Sequence, residues 1–316
     1  MKSLNGNFIF VPFQAYLNEL SFSSREGEFK VGDYLPNAAV QARFKILGIS
    51  ESIGPFANYG RPGAENAFDA FMNCFLPMQY QGQDFSLLGC VKSVGPFPMD
   101  AFEASVWVSE LDDFIESILL DKVTADQIPV VIGGGHNNAL PLMRWASKTK
   151  NTSSVINVDA HADCRETDRR HSGNSFSYAM AEKILTSYAV LGLHAYYLNS
   201  FMADFMAEQN VFATFYEDYL TGERNLQNDF VKAMSADENI GLEIDMDCIQ
   251  NMPSSAHSPS GWSLDQIRGL LLSVDPAKIS YLHLTEAAPC NEMENRMVGK
   301  ALGYLCMDFM KIKELH

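Results

Sequence analysis

The stretch Val155-Ile156-Asn157-Val158-Asp159-Ala160-His161-Ala162-Asp163 joins an apolar run to three potential metal ligands at alternate positions. In a β-strand, residues i, i+2 and i+4 project to one side. Asp159, His161 and Asp163 are therefore expected to converge just beyond the carboxyl end of a buried strand. A single Asp-x-His would more readily be an acidic loop that follows a buried strand, so the decision rests on what the chain brings to its other strand ends.

Two further stretches have the same form. Residues 129–136, Pro-Val-Val-Ile-Gly-Gly-Gly-His136, give a short apolar strand, a glycine turn and a histidine. Residues 240–247, Ile-Gly-Leu-Glu243-Ile-Asp245-Met-Asp247, alternate apolar residues with acids. Three strand ends then supply two histidines and four aspartates. Four carboxylates offset the charge of two divalent cations, and oxygen-rich ligands with imidazole suit Mn²⁺ or a similar ion better than thiolate-loving metals.

From Phe44 onward, apolar runs of strand length alternate with helical patterns. The predicted strands are 44–49, 86–91, 129–133, 153–158, 187–193, 210–215, 240–246 and 279–285. Helices are predicted near 64–77, 101–120, 137–147, 174–185, 199–208, 224–236, 263–273 and 295–313. Such alternation implies an α/β fold of three layers, a mainly parallel eight-stranded sheet with helices on both faces. Ligands of such sheets gather outside the carboxyl ends of the strands, where all three stretches fall. Residues 1–43 are aromatic and irregular, and they are expected to cover a sheet edge or form a subunit contact.

The chain has 316 residues, 47% hydrophobic and 20% charged, and is read as one domain over 1–316, since large α/β folds often use such a length whole. A formal net charge of -16 without a Lys/Arg run argues against nucleic acid or an anionic membrane as partner. No secretory signal is evident and no stretch reaches the length of a membrane span. Six cysteines without paired spacing suggest reduced thiols and a cytoplasmic setting. Cys164 and Cys248 flank predicted ligands, with packing, a nucleophile or a further metal ligand as their open roles.

Gly-Gly-Gly-His136, Asp159-Ala-His161-Ala-Asp163 and Asp245-Met-Asp247, in this order and at these separations, resemble the three metal-binding signatures of the ureohydrolase superfamily, which holds arginases, agmatinases and formimidoylglutamases. The resemblance runs from about residue 44 to the C-terminus, and the loop Asn58-Tyr-Gly60-Arg61-Pro62-Gly63-Ala64 is similar to one that follows the first strand in that family. It implies an arginase-like fold and a binuclear Mn²⁺ centre. His136, Asp159, Asp163 and Asp245 would hold one ion; His161, Asp159, Asp245 and Asp247 would hold the other. A hydroxide shared by the two ions would be the nucleophile.

Glu286, in Tyr281-Leu-His283-Leu-Thr285-Glu286, is either a turn cap or the carboxylate that holds a cationic amidine; the match to the family's substrate-binding glutamate implies the second. His283 is expected in the core or behind a ligand. Glu243 is an acceptor for a metal-bound histidine, a salt-bridge partner or an added charge. His171, His194 and His257 lack ligand spacing and are expected at the surface or behind the ligands, and Pro253–Gly261 is expected to line the mouth of the site.

The segment after Asp163 is most similar to formimidoylglutamases. They too have an arginine at the position of Arg165, a Ser-Gly-x-x-Phe segment like Ser172-Gly-Asn174-Ser-Phe176, and Gly-Gly-Gly-His. Arginases have a histidine, a presumed proton carrier, where Phe176 stands, and an aspartate after the next strand where Leu193-His194-Ala-Tyr-Tyr-Leu has none. A guanidinium fork binds carboxylate, so Arg165 suits an acidic substrate unless it pairs with Glu166 or Asp168. Ser172 and Asn174 stand where the family contacts the substrate's carboxylate. The implied reaction is N-formimidoyl-L-glutamate and water to L-glutamate and formamide, a step of histidine catabolism, with Asp163 passing a proton to the leaving amine. The alternatives are an arginase- or agmatinase-like guanidine hydrolase, a non-catalytic metal-binding member of the fold, and a one-zinc deacylase. Family members are often oligomers, which leaves a homo-oligomer open.

Overall fold

The computed structural model describes residues 1–17 and 22–311. Its nine strands are β1 (Phe8–Pro12), β2 (Phe44–Ser50), β3 (Phe85–Ser93), β4 (Ile128–Ile132), β5 (Ser154–Val158), β6 (Ser187–Leu193), β7 (Phe212–Phe215), β8 (Ile240–Asp245) and β9 (Ile279–Thr285). They form one sheet in the order β1-β3-β2-β4-β9-β8-β5-β6-β7. Every adjacent pair is parallel except β1 with β3.

The ninth strand corrects the expected eight. Phe8 and Phe10 alternate inward and are buried, while Ile9 and Val11 are half-exposed. An antiparallel edge strand of five residues carries too little periodicity to stand out from its aromatic surroundings. Residues 1–43 are thus not irregular throughout. They also contain the short helices Phe13–Leu17 and Val31–Tyr34, and β1 covers the sheet edge at β3.

Neighbouring residues of one strand enter opposite cores, as a pleated sheet buried on both faces requires. Ile46, Val130, Ile132, Ile156 and Val158 pack with the helices Ala67–Phe75, Leu226–Met234, Leu264–Ser273 and Glu292–Phe309. Leu47, Ile49, Val131 and Val155 pack with the helices Ala101–Lys122, Ala139–Lys150, Ser175–Ala181 and Ser200–Glu208 on the other side. The last expected helix, 295–313, is observed to Phe309, and residues 312–313 lie outside the described residues. Among the described residues no helix is long and apolar enough to cross a membrane.

Candidate active site

The four adjacent central strands β4, β9, β8 and β5 run parallel, so their carboxyl ends meet along one stretch of the sheet edge. Cross-strand register then sets which side chains become neighbours. Asn157 of β5 lies opposite Glu243 of β8, which lies opposite His283 of β9. Two residues further on, and on the same side, Asp245 lies opposite Thr285. After β4, Gly133 and Gly134 adopt φ of +91° and +72°, backbone that side-chain-bearing residues disfavour. That turn is tied to β9, since the Gly134 carbonyl accepts from the Glu286 N–H at 3.0 Å and the Thr285 hydroxyl at 2.9 Å. His136 is thereby aimed at the ends of β5 and β8.

The six expected ligands are brought together. His136 Nδ1 lies 2.9 Å from Asp163, 3.0 Å from Asp245 and 3.3 Å from Asp159. His161 Nδ1 lies 3.0 Å from Asp247 and 3.6 Å from Asp159. Asp159 turns one oxygen towards each histidine and so spans the two groups. Asp245 joins only the His136 group, because its second oxygen accepts the Asp247 N–H at 2.8 Å. The second group comprises Asp159, His161 and Asp247.

The electrostatics favour cations here. Burial, together with the Asp247 and Asp159 carboxylates beside it, pushes the Asp245 carboxyl well up. Burial likewise raises Asp163 and opposes ionisation of Asp159, but hydrogen bonds from His136 and His161 hold Asp159 below the usual carboxylate range. Burial disfavours the charged form of both histidines, yet the carboxylates around them drive both well up. Four carboxyl groups and two imidazoles crowd together in a largely buried place, and one Asp247 oxygen has no hydrogen-bond partner among the described residues. This oxygen-rich donor set fits two divalent cations with oxygen preference.

Glu243 lies between His136 and His283. Its carboxylate is 3.5 Å from His136 Nε2 and accepts from His283 Nδ1 at 2.6 Å. All three side chains are fully buried. At 3.5 Å the Glu243 carboxylate faces Nε2 as a neighbouring charge, and Nε2 has no hydrogen-bond partner among the described residues. Asn157, in the same row, donates to Asp159 at 2.9 Å. His283 is buried and hydrogen-bonded to Glu243.

A cavity of about 210 Å³ opens over the two groups. Asp163, Asp245, Asp247 and His161 form its floor, and Glu286 also lines it. Tyr59, Asp163 and Glu286 have φ of 62°, 46° and 64°, and such strain clusters where geometry serves a site. Glu286 accepts from the His136 N–H at 2.7 Å and the Ser255 hydroxyl at 3.0 Å. Burial pushes its carboxyl up to about 8 against the pull of the His136 N–H, so an arriving cation would restore its charge.

Arg165 and Ser172 reach the cavity wall. Arg165 makes no ion pair among the described residues, and Asp168 pairs instead with Arg169 at 3.7 Å; the salt-bridge reading of Arg165 is not what the fold adopts. Asn174 differs from expectation. It is fully buried, its oxygen accepts from Arg170 at 2.8 Å, and its amide donates to the carbonyls of Glu166 (2.9 Å) and Arg169 (2.7 Å). Its side chain builds the loop that carries Arg165 and Ser172 and does not line the cavity.

Phe176 is buried, stacked on Tyr188 and edge-on to His136. Cys164 and Cys248 are buried, and burial pushes both thiols well up, so packing is their role. His171 is buried within the loop, His194 is buried in a ring stack, and His257 is exposed. Ser255 and Ala256 line the cavity mouth as expected of Pro253–Gly261.

Sequence reasoning missed Asn58, Tyr59 and Tyr197 as cavity walls. The loop at 58–64 was legible as a point of resemblance to the family, without a place for Asn58 or Tyr59 in the cavity wall. Tyr197 lies flat on His161, with ring centroids 4.8 Å apart, and stacks in turn on His194 and through it on Tyr216. Nothing in its local sequence signals that stack.

Residues 42–310 match the arginase family. The chain is 26% identical to the formimidoylglutamase of Streptococcus pyogenes over 287 aligned positions, covering 83% of this chain and 82% of that protein. Its fold is similar to that of Trypanosoma cruzi formiminoglutamase in a crystal structure with Mn²⁺, with a TM-score of 0.73 at 17% identity over 90% of this chain and 99% of that one. Bacillus subtilis formimidoylglutamase gives a TM-score of 0.70 at 17% identity, over 90% and 93%. Proclavaminate amidino hydrolase of Streptomyces clavuligerus gives 0.67 at 15% identity, over 91% and 99%.

Proposed function

The chain belongs to the arginase family, and from that membership we propose that it is a hydrolase that cleaves the C–N bond of a linear amidine with an acidic tail, N-formimidoyl-L-glutamate, to glutamate and formamide. The observation that carries this reading is the pairing within one cavity of a carboxylate-rich cluster and Glu286 with an Arg165 that is free of ion pairs among the described residues. The relatives named formimidoylglutamase support the same substrate class.

Two Mn²⁺ ions are the fitting cofactor. His136, Asp159, Asp163 and Asp245 would hold one, and Asp159, His161 and Asp247 the other, with Asp245 beside it. Such a pair supplies an activated water and positive charge at the reacting carbon. Glu286 binds the planar amidinium, whose charge draws the carboxyl into its ionised form. Arg165 and the Ser172 hydroxyl hold the tail carboxylate. Asp163 takes the proton of the attacking water and delivers it to the departing amine, a task the hydrocarbon ring of Phe176 cannot perform.

The test is hydrolysis by Mn²⁺-loaded protein of N-formimidoyl-L-glutamate, arginine and agmatine side by side. Glutamate and formamide from the first alone are expected. Urea from either guanidine would overturn the substrate while leaving the metal chemistry. Retained Mn²⁺ with no product would indicate a non-catalytic member of the fold, and one tightly held zinc per chain would indicate a deacylase.

A further inference from the structure

Glu51 stands just beyond the carboxyl end of β2, outside the ligand cluster, and is 1% exposed. A carboxylate that deep needs a countercharge or filled lone pairs. No cation pairs with it among the described residues; five N–H donors converge on it instead. One oxygen accepts from the backbone N–H groups of Ile53 (2.6 Å) and Gly54 (3.1 Å). The other accepts from the Gly135 N–H (2.9 Å) and from the side-chain amides of Asn138 (2.7 Å) and Asn137 (3.3 Å).

These donors belong to two different parts of the site. Ile53 and Gly54 open the helix Ile53–Ala57, which delivers Asn58 and Tyr59 to the cavity wall. Gly135, Asn137 and Asn138 bracket His136. The two segments pack so closely that a Cβ on Gly54 would sit 1.7 Å from the Asn137 side-chain oxygen. From the other flank Arg170, in a buried pair with Asp112, donates to the Asn137 carbonyl at 2.9 Å.

We propose that Glu51 is a positioning residue that couples the metal-binding turn to the cavity wall, holding His136 in register with Asp159, Asp163 and Asp245 and setting the Asn58–Tyr59 wall through the same carboxylate. The proposal rests on the metal reading given under the proposed function. A neutral amide of the same shape cannot take over. Glu51→Gln keeps one acceptor oxygen, and whichever way its NH₂ turns it faces N–H donors. At least two donors then lose their partner.

Metal that binds only the folded state raises Tm by an increment set by its affinity. A residue that merely supports the fold lowers Tm equally with and without metal. Thermal unfolding with and without saturating Mn²⁺, joined to an Mn²⁺ titration followed by electron paramagnetic resonance, separates the two roles. Glu51→Gln is expected to shrink the Mn²⁺ increment and to weaken the binding of one ion by about 10-fold or more, the range seen for groups that orient ligands.

Lys45→Met is the control, at the opposite end of β2, where the buried ammonium donates to the Val40 carbonyl and the Ser86 hydroxyl. It should lower Tm and leave the increment unchanged. If Glu51→Gln does not fold, Asn138→Ala, which removes one of the five donors, decides the matter through the same increment. A wild-type increment in the deciding variant overturns the role of Glu51 alone. No increment in the wild-type protein overturns the metal reading and the proposal with it.

Discussion

The two ends of the cavity are built by different means. At the metal end, six side chains arrive from the ends of β4, β5 and β8, and adjacent parallel register makes them neighbours. At the tail end, Asn58, Tyr59, Arg165, Ser172 and Tyr197 arrive from loops that cross above the sheet. The first arrangement is mutually dependent, since Asp159 faces both histidines and every ligand is at least partly buried. The second is more open, and Arg165 is exposed. Substitutions should therefore act strongly and non-additively at the metal end, and more weakly and independently at the tail end.

The sharpest break is Asp159→Ala. Because Asp159 belongs to both ligand groups, its loss should release both ions and lower kcat/KM by more than the ~100-fold that loss of an orienting group produces. Metal content per chain and hydrolysis rate measure it together. Two ions retained would mean that the two groups are independent, contrary to the comparison. Glu286→Gln lies between the ends. It should keep both ions and lower kcat by ~10²-fold, the scale for loss of one preorganised electrostatic partner. A loss confined to KM would make Glu286 a binding group only.

The same contrast explains what the sequence made legible. Asp159, His161 and Asp163, and likewise Glu243, Asp245 and Asp247, are spaced two apart where β5 and β8 end, so the sequence marks the place of the cluster, although only Glu243 and Asp245 lie within a strand. Even the Glu243–His283 contact follows from parallel register once both strands are recognised. Asn174 and Tyr197 were misplaced or missed because loop crossings leave no period. Asn174 is consumed by the Glu166 and Arg169 carbonyls, a local pattern that spacing cannot display. Glu51, in Ser50-Glu51-Ser52, carries no mark of its role in the sequence, because its five donors come from a distant turn and from neighbours whose conformation the sequence does not declare. β1 was lost for a related reason: at a sheet edge, five residues hold only two inward side chains.

At the tail end, Arg165→Ala should raise KM for an acidic amidine by about 10- to 100-fold, the range for a charge-assisted hydrogen bond. Tm and metal content should stay near wild type, since Arg165 has no ion pair among the described residues to lose. Initial rates over a substrate series, with the Mn²⁺ increment in Tm as the companion reading, would separate the two ends directly. An equal loss of metal would show that the tail loop supports the metal cluster and would erase the distinction.

The smallest effect concerns pH and the loop itself. His171 is buried, and its Nδ1 accepts the Gly173 N–H at 3.1 Å, which caps the short turn Ser172–Asn174. Burial first, and then the neighbouring Arg169, Arg170 and Arg165 cations, lower its pKa from 6.5 to about 4. The neutral ring is thus the folded form, and as pH falls the unfolded chain takes up this proton first. The contribution of His171 to stability is present above 6.5, declines between 6.5 and about 4, and is gone below that. His171→Asn keeps a short acceptor and removes the titration. Its Tm should therefore fall less than that of the wild type between pH 7 and pH 5, a difference of a few degrees that thermal unfolding at the two pH values resolves. Equal slopes would mean that the ring is not held neutral by its surroundings. A steeper slope in the variant would mean that the protonated ring supports the loop, and the cations around it would then have to be screened by the Asp168 carboxylate.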